Sequence, residues 1–479
     1  MNRMQIILIV AILTTVSSIH AQDAKIMVGA STGKIVGPYL TGYNVVYNHE
    51  NMNTWKDGKK VAALKEAGIS SLRYPGGHVV SFWDWEFPYH SAYQNFWEPR
   101  YVKSLTPEKK AELKKANNQR MGLDDFLKIC AEASAEPVVG INMFQGYKYN
   151  RLKDSIAKAV RLVEYCKKQN PKVTYYYLDN ESGHQPTKGQ HIPIPEYIDL
   201  LAAYSKAIKK AQPDAKLIVN LINWGKNGDL IKKAGKHIDL IDFHWYYNTQ
   251  GWNRFRAVDW RKNTDHRKFH SVIPKLSQWK EQSGHNHIRA SFMEWNIGAA
   301  TGEANGETNT DPGTFHLQGL VLADMLMQYA ENDVFMAAVW PLMWKVKDYS
   351  RNRGFRNFFD QETGKVHAAR HIMRFFSKAQ RGMVLQSTDP HKGDLFSTAV
   401  LSEDKKRMFL YVLNKGENDK RVTVQLPNAI ARASAESFEE VGNSGEAAAK
   451  TLMPTLKDQT VSFTMTDMSV VFLELEIAR

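Results

Sequence analysis

The sequence predicts an α/β protein: a (β/α)8 TIM barrel followed by a C-terminal antiparallel β-sandwich. Three observations predict it. Between about residues 39 and 382, short β-rich apolar runs alternate eight times with Lys/Ala/Leu-rich helical stretches. Strand-helix alternation implies parallel strands, and eight units over this length fit a barrel with enlarged loops. Polar residues cluster where these strands end, and no Gly-rich phosphate loop follows the first, which disfavours a doubly wound open sheet. After Gly382 the pattern changes to period-two alternation, the mark of antiparallel strands with one buried face.

The elements follow in order. Residues 1–21 hold Arg3 and the apolar run Ile6–Val16, with Ile19-His20-Ala21 as a cleavage site. The run is too short to span a bilayer, so it is read as a secretory signal peptide, and a secreted or periplasmic location is expected. Residues 22–38 have strand character and are expected to join the sandwich. The barrel, residues 39–382, takes its strands from LTGYNVVY (Leu40), ISSLRYP (Ile69), EPVVGINMF (Glu136), VTYYYLDN (Val173), KLIVNLIN (Lys216), IDLIDFHWY (Ile238), IRASFMEWN (Ile288) and VFMAAVWPL (Val334). In residues 383–479, Val422, Val424 and Leu426, and then Val461, Phe463 and Met465, alternate with polar residues, while MFLYVLN and SVVFLELEI supply two more strands.

Composition narrows the classes. With 479 residues, 43% hydrophobic and 24% charged, the chain can build a large core and is not of disordered type. The net charge of +13 admits an anionic partner. Export argues against nucleic acid, and no basic amphipathic helix or spanning run points to integral membrane association. Cys130 and Cys166 both lie in helical text. In an exported protein they can be bridged, or they can be two small buried residues. Oligomeric state is not legible.

The chemistry is concentrated at strand ends, where a barrel carries its active site. The second strand ends in RYPGGH, Arg73 to His78. The third ends near Asn142 and the fourth in Asn180-Glu181. The sixth ends in His244-Trp245-Tyr246, the seventh in Glu294-Trp295-Asn296 and the eighth in Trp340. A carboxylate closing an apolar strand is costly unless it has a partner or a chemical role. Two of them on facing strands suit glycoside hydrolysis, in which one carboxyl protonates the leaving oxygen and the other attacks the anomeric carbon. Glu181 is read as the acid/base, with its pKa raised by burial and by Glu294. Glu294 is read as the nucleophile, kept ionised by Arg73 and by Tyr246 or His244. Asn180 is expected to reach the sugar 2-hydroxyl. His285-Asn286-His287 lacks a neighbouring carboxylate, so no metal is expected there. No cofactor is expected.

Asn-Glu closing the fourth strand, with a second Glu closing the seventh, resembles clan A of the retaining glycoside hydrolases. RYPGG with its following VVSFWDW loop, the aromatic-His stretch of the sixth strand and the EWN around Glu294 resemble the α-L-arabinofuranosidase branch. The resemblance covers the barrel, fits the trailing sandwich, and implies Glu181 as acid/base and Glu294 as nucleophile. Ser-Gly-His after Glu181 and Asp-Trp in the double-Gly loop depart from that branch. Agarases and related algal-polysaccharide hydrolases share the clan.

Two loops bear on substrate. The sixth-strand loop carries Trp252, Arg254 and Arg256, and the eighth-strand loop carries Arg351 and Arg353, each within a wider cluster of Lys and Arg. Arginine forks suit sulfate and carboxylate, and the aromatics suit pyranose faces. The expected substrate is therefore an anionic or sulfated algal galactan, with hydrolysis of the agarase, porphyranase or carrageenase type. An α-L-arabinofuranosidase acting on neutral plant polysaccharide is the alternative. A non-catalytic carbohydrate-binding protein is the alternative of another class.

Overall fold

The structure, a computed structural model, describes residues 21–182, 192–220, 224–247, 266–297, 314–345, 356–388, 395–442 and 444–478. Eight parallel strands close into a barrel: Tyr39–Asn44, Ser71–Tyr74, Glu136–Ile141, Tyr175–Leu178, Lys216–Asn220, Leu240–Tyr247, Arg289–Ile297 and Val334–Val339. They are the eight runs read from the sequence, and are called here barrel strands one to eight. Each is pinned by its apolar alternation. Val138, Tyr177, Ile218, Leu240, Met293 and Met336 point inward and fill the barrel, so its centre is a packed core and chemistry is confined to the rim. The opposite set of side chains packs on the surrounding helices.

Strand seven departs from regular pairing. Asp242 faces Ser291 and His244 faces Glu294, so strand seven spends one extra residue between the two pairs. Such a bulge re-aims the side chain that follows it, and here that side chain is Glu294.

The second unit is one ten-stranded sheet among the described residues. It curls until Ile26, Val422 and Val461 from one part meet Leu410 and Leu473 from another in a single core. The N-terminal strand Gln22–Ile35 lies within it, antiparallel to Met383–Thr388 but parallel to Lys420–Gln425. That parallel pair is an exception to the antiparallel reading. It arises because the strand enters from the other end of the chain and needs no hairpin.

Helix Phe315–Glu331 is buried on all sides because the barrel covers one face and the sheet the other. Phe438 closes on Gly319, and a buried Lys415–Asp324 ion pair crosses the same junction. Phe376 stacks on Tyr411 at 4.1 Å between ring centroids. Cys130 and Cys166 are free and buried, which decides between the two readings of the pair. No helix among the described residues is long and apolar enough to cross a membrane.

Candidate active site

The end of strand four is built around Asp179. Asp179 and Glu181 adopt φ of 59° and 51°, left-handed values that a side-chain-bearing residue takes only when its surroundings impose them. The Asp179 carboxylate does so. It accepts the backbone N–H groups of Met143 and Phe144 at 2.9 and 2.6 Å, that of Asn180 at 2.9 Å, and the Ser81 hydroxyl. Asn220, at the end of strand five, accepts the Glu181 N–H at 2.8 Å. The chain is thus turned so that Asn180 and Glu181 both face the barrel axis.

Arg73 lies fully buried on the floor of the site, its guanidinium 4.1 Å above the Tyr177 ring. It donates to Asn44 Oδ1 at 2.8 Å and to Asn180 Oδ1 at 2.6 Å, and it sits 3.6 Å from Glu294 Oε2. Asn44 is itself held by donating to the carbonyls of Met293, Ala338 and Val339. The bulge in strand seven is used as well. Asp242 Oδ1 accepts the Met293 N–H at 2.7 Å, and Oδ2 lies 3.2 Å from His244 Nε2. One buried carboxylate therefore anchors the strand that carries Glu294 and the imidazole beside it.

His244 Nδ1 is 2.7 Å from Glu181 Oε1 and 3.5 Å from Glu294 Oε2. Tyr246 donates to Glu294 Oε1 at 2.7 Å. His78 Nε2 lies 2.8 Å from Glu181 Oε2. One oxygen of each glutamate and His244 Nδ1 all fall within 4.8 Å of one another. The two carboxylates thus stand in the close range of retaining glycosidases, roughly 5–5.5 Å, rather than the roughly 6.5–9.5 Å that inversion needs for an intervening water. The same three atoms stand close enough for a cation. Arg73 and the His244 imidazolium already supply positive charge to these oxygens, and a cation would have to displace both.

Burial would lower the pKa of His244, but the charges of Glu294 and Asp242 and the bonds to Asp242 and Glu181 raise it to about 10. Burial would raise that of Glu181, yet bonds from His244 and His78 overcome it and hold the carboxyl well below its ordinary range. The sequence predicts Glu181 raised. That expectation is corrected because the two imidazoles contact the carboxylate directly, at shorter range than Glu294.

Arg73, His78, Asn180, Glu181, His244, Tyr246 and Glu294 thus converge. Trp340 lies at the same mouth, its ring against the Cα of Gly77, where a Cβ would stand 2.5 Å from the indole. Asn142 is engaged within the protein instead, since it accepts the Gln145 N–H and donates to the Trp83 carbonyl. Arg356, from the eighth-strand loop, is buried with its guanidinium 5.1 Å over the Tyr246 ring, not at a solvated rim. Trp252, Arg254, Arg256, Arg351 and Arg353 lie outside the described residues, as does the leader segment up to residue 20. His287 bonds the Ile238 carbonyl in a loop away from the mouth.

Sequence reasoning passed over Asn44, Asn220 and Asp242. Their signal was present, since each is a polar residue in or at the end of an apolar strand, but none ends a motif. Trp344, tilted against Trp340 at 5.4 Å and stacked on His49 at 4.2 Å, was missed for the same reason.

The family model described as "Alpha-L-arabinofuranosidase 1 domain" matches residues 63–267. The chain is 24% identical to an intracellular exo-α-(1→5)-L-arabinofuranosidase of Acetivibrio thermocellus, over 80% of this chain and 81% of that protein. It is 22% identical to an enzyme of the same description from Bifidobacterium longum, over 59% of this chain and 55% of that protein. Among solved structures, the fold superposes on a family 51 α-L-arabinofuranosidase of Bifidobacterium longum with a TM-score of 0.71 at 17% identity, covering 95% of this chain and all of that one. A Paenibacillus polymyxa xyloglucanase of family 44 superposes at 0.62 with 15% identity, over 95% of this chain and all of that one. At these identities the superpositions speak for the fold.

Proposed function

We propose that this retaining glycoside hydrolase releases α-L-arabinofuranosyl residues from neutral plant polysaccharide or its fragments. The observation that carries the reading is that relatives aligned along most of the chain are named for that activity. The site chemistry is compatible with it. Glu294 attacks the anomeric carbon while Glu181 protonates the departing oxygen, giving a glycosyl ester on Glu294. Glu181 then takes a proton from water as the water opens that ester, and the configuration is retained. Tyr246 and Arg73 hold the nucleophile's charge, and Asn180, oriented by Arg73, offers its NH2 group toward the sugar 2-hydroxyl.

The expectation of a sulfated galactan finds no support among the named relatives. The arginines it relied on, Arg254, Arg256, Arg351 and Arg353, lie outside the described residues. A panel decides between the two: 4-nitrophenyl α-L-arabinofuranoside and arabinan on one side, agarose, porphyran and carrageenan on the other. Release of arabinose and inactivity on the galactans is the expected result. Depolymerised galactan with no arabinose would overturn the reading. We also propose export, from the segment before Gln22, although the named relatives are called intracellular. A mature N-terminus near residue 22 in the extracellular or periplasmic fraction is expected, and an intact Met1 in the cytoplasm would refute it.

A further inference from the structure

Both oxygens of Glu181 are occupied by imidazoles, His244 on Oε1 and His78 on Oε2. A leaving-group oxygen approaching Glu181 therefore competes with an imidazole at either oxygen, and withdrawal of one imidazole clears its way. The two differ in their freedom to do so. His244 has a side chain 2% exposed, and its second nitrogen is tied to Asp242, which is itself tied to the Met293 N–H. The His78 side chain is 38% exposed. It follows Gly76 and Gly77, at φ of 85° and 42°. Its second nitrogen has only a long contact, 3.5 Å to Asn180 Nδ2. Because Arg73 holds Asn180 Oδ1, a donor faces His78 Nδ1, and a donor there favours the ring with a lone pair, the neutral form. The Glu181 carboxylate at the other nitrogen favours the charged form.

We propose that His78 is a positioning residue that stores the acid proton for Glu181 and yields its place at Oε2 to the leaving-group oxygen. The inference rests on the reading of Glu181 as acid/base. The imidazolium passes its Nε2 proton to Glu181 Oε2 and swings away neutral. Glu181 gives that proton to the leaving oxygen as the glycosidic C–O bond breaks and the bond to Glu294 forms. In the second half, Glu181 takes a proton from the attacking water and returns it to His78 Nε2, so one proton is carried per cycle and none is lost. The groups that face His78 are Glu181 from strand four, Glu294 from strand seven and His244 from strand six. Burial would lower its pKa, but the bond to Glu181 and the charges of Glu181 and Glu294 raise it above the ordinary value, against the opposing charge of His244.

Two readouts test the proposal. In an imidazole NMR titration of the free enzyme, His78 should titrate above its ordinary value of about 6.5 and fall by about one unit or more in Glu181→Gln. An unmoved His78 overturns the proposal whatever the sugar. In His78→Gln, the alkaline limb of kcat/KM for a substrate with a poor leaving group should move about one pH unit lower. That is about a tenfold loss on the alkaline side that closes toward acid pH, with a much smaller shift for an activated aryl glycoside. A uniform loss with the limb in place would mark a structural role and overturn it. If no arabinofuranoside is turned over, the sugar assignment falls, while the titration still decides the role of His78.

Discussion

Strands four and seven end alike in sequence, each with a glutamate beside an asparagine, but the structure surrounds the two carboxylates differently. Glu294 is held by a phenol and faces a guanidinium, groups whose protons stay in place through the working pH range. Glu181 is held by two imidazoles, His244, which keeps its proton up to about pH 10, and the more exposed His78. Only strand four needs residues in the left-handed region to present its carboxylate, whereas strand seven uses a bulge. The difference fits the proposed roles. A nucleophile needs a fixed negative charge, and an acid/base needs a neighbour with which a proton can be exchanged.

That contrast can be broken or sharpened by substitution. Glu294→Ala should cost roughly ten-thousand-fold or more on every substrate, and azide should restore part of the activity with inverted product. Product of retained configuration with azide would erase the distinction. Glu181→Ala should lower kcat/KM by about a hundred- to ten-thousand-fold for poor leaving groups and far less for activated aryl glycosides, because only the former need the proton. Equal losses on both would make Glu181 a binding group.

Tyr246→Phe removes a hydrogen bond to a carboxylate, worth about 1.5–3 kcal/mol. It should reduce kcat/KM about ten- to hundredfold on both kinds of substrate alike, since the nucleophile attacks in both. A loss that depended on the leaving group would place Tyr246 on the acid side. The smallest effect is expected for Asp242→Asn, which removes one of the charges that raise His244 to about 10. Its imidazole should titrate at least about one unit lower by NMR. His244 is raised on folding, so its contribution to stability is full below about pH 6.5 and fades as pH climbs through about 10. The Tm of Asp242→Asn should accordingly fall less between pH 7 and 10 than that of the parent.

The two strand ends also show what sequence could supply. The barrel was legible because eight apolar runs each stop on a polar residue, and barrel geometry gathers such stops at one rim. Glu181 and Glu294 stood out for that reason. The brace around them did not. Asp179, Asn220 and Asp242 act by accepting backbone N–H groups from segments distant in sequence, and no local pattern records which N–H that will be. The sign of the Glu181 shift was lost in the same way. Burial and like charge can be guessed from strand ends, but two imidazoles arriving from strand six and the strand-two turn appear only once the barrel closes. The parallel pairing of the N-terminal strand likewise depends on its insertion between Met383–Thr388 and Lys420–Gln425, strands distant from it in sequence.

The division of labour between the two carboxylates is tested most directly by trapping the intermediate. In Glu181→Ala, an activated aryl α-L-arabinofuranoside should load the enzyme faster than water unloads it, because the base that activates the water is missing. Peptide mapping by mass spectrometry should then find one pentosyl residue, attached to Glu294 in the peptide containing SFMEWNIG. A pentosyl residue on another side chain, or an unmodified enzyme that releases arabinose of inverted configuration, would contradict the assignment.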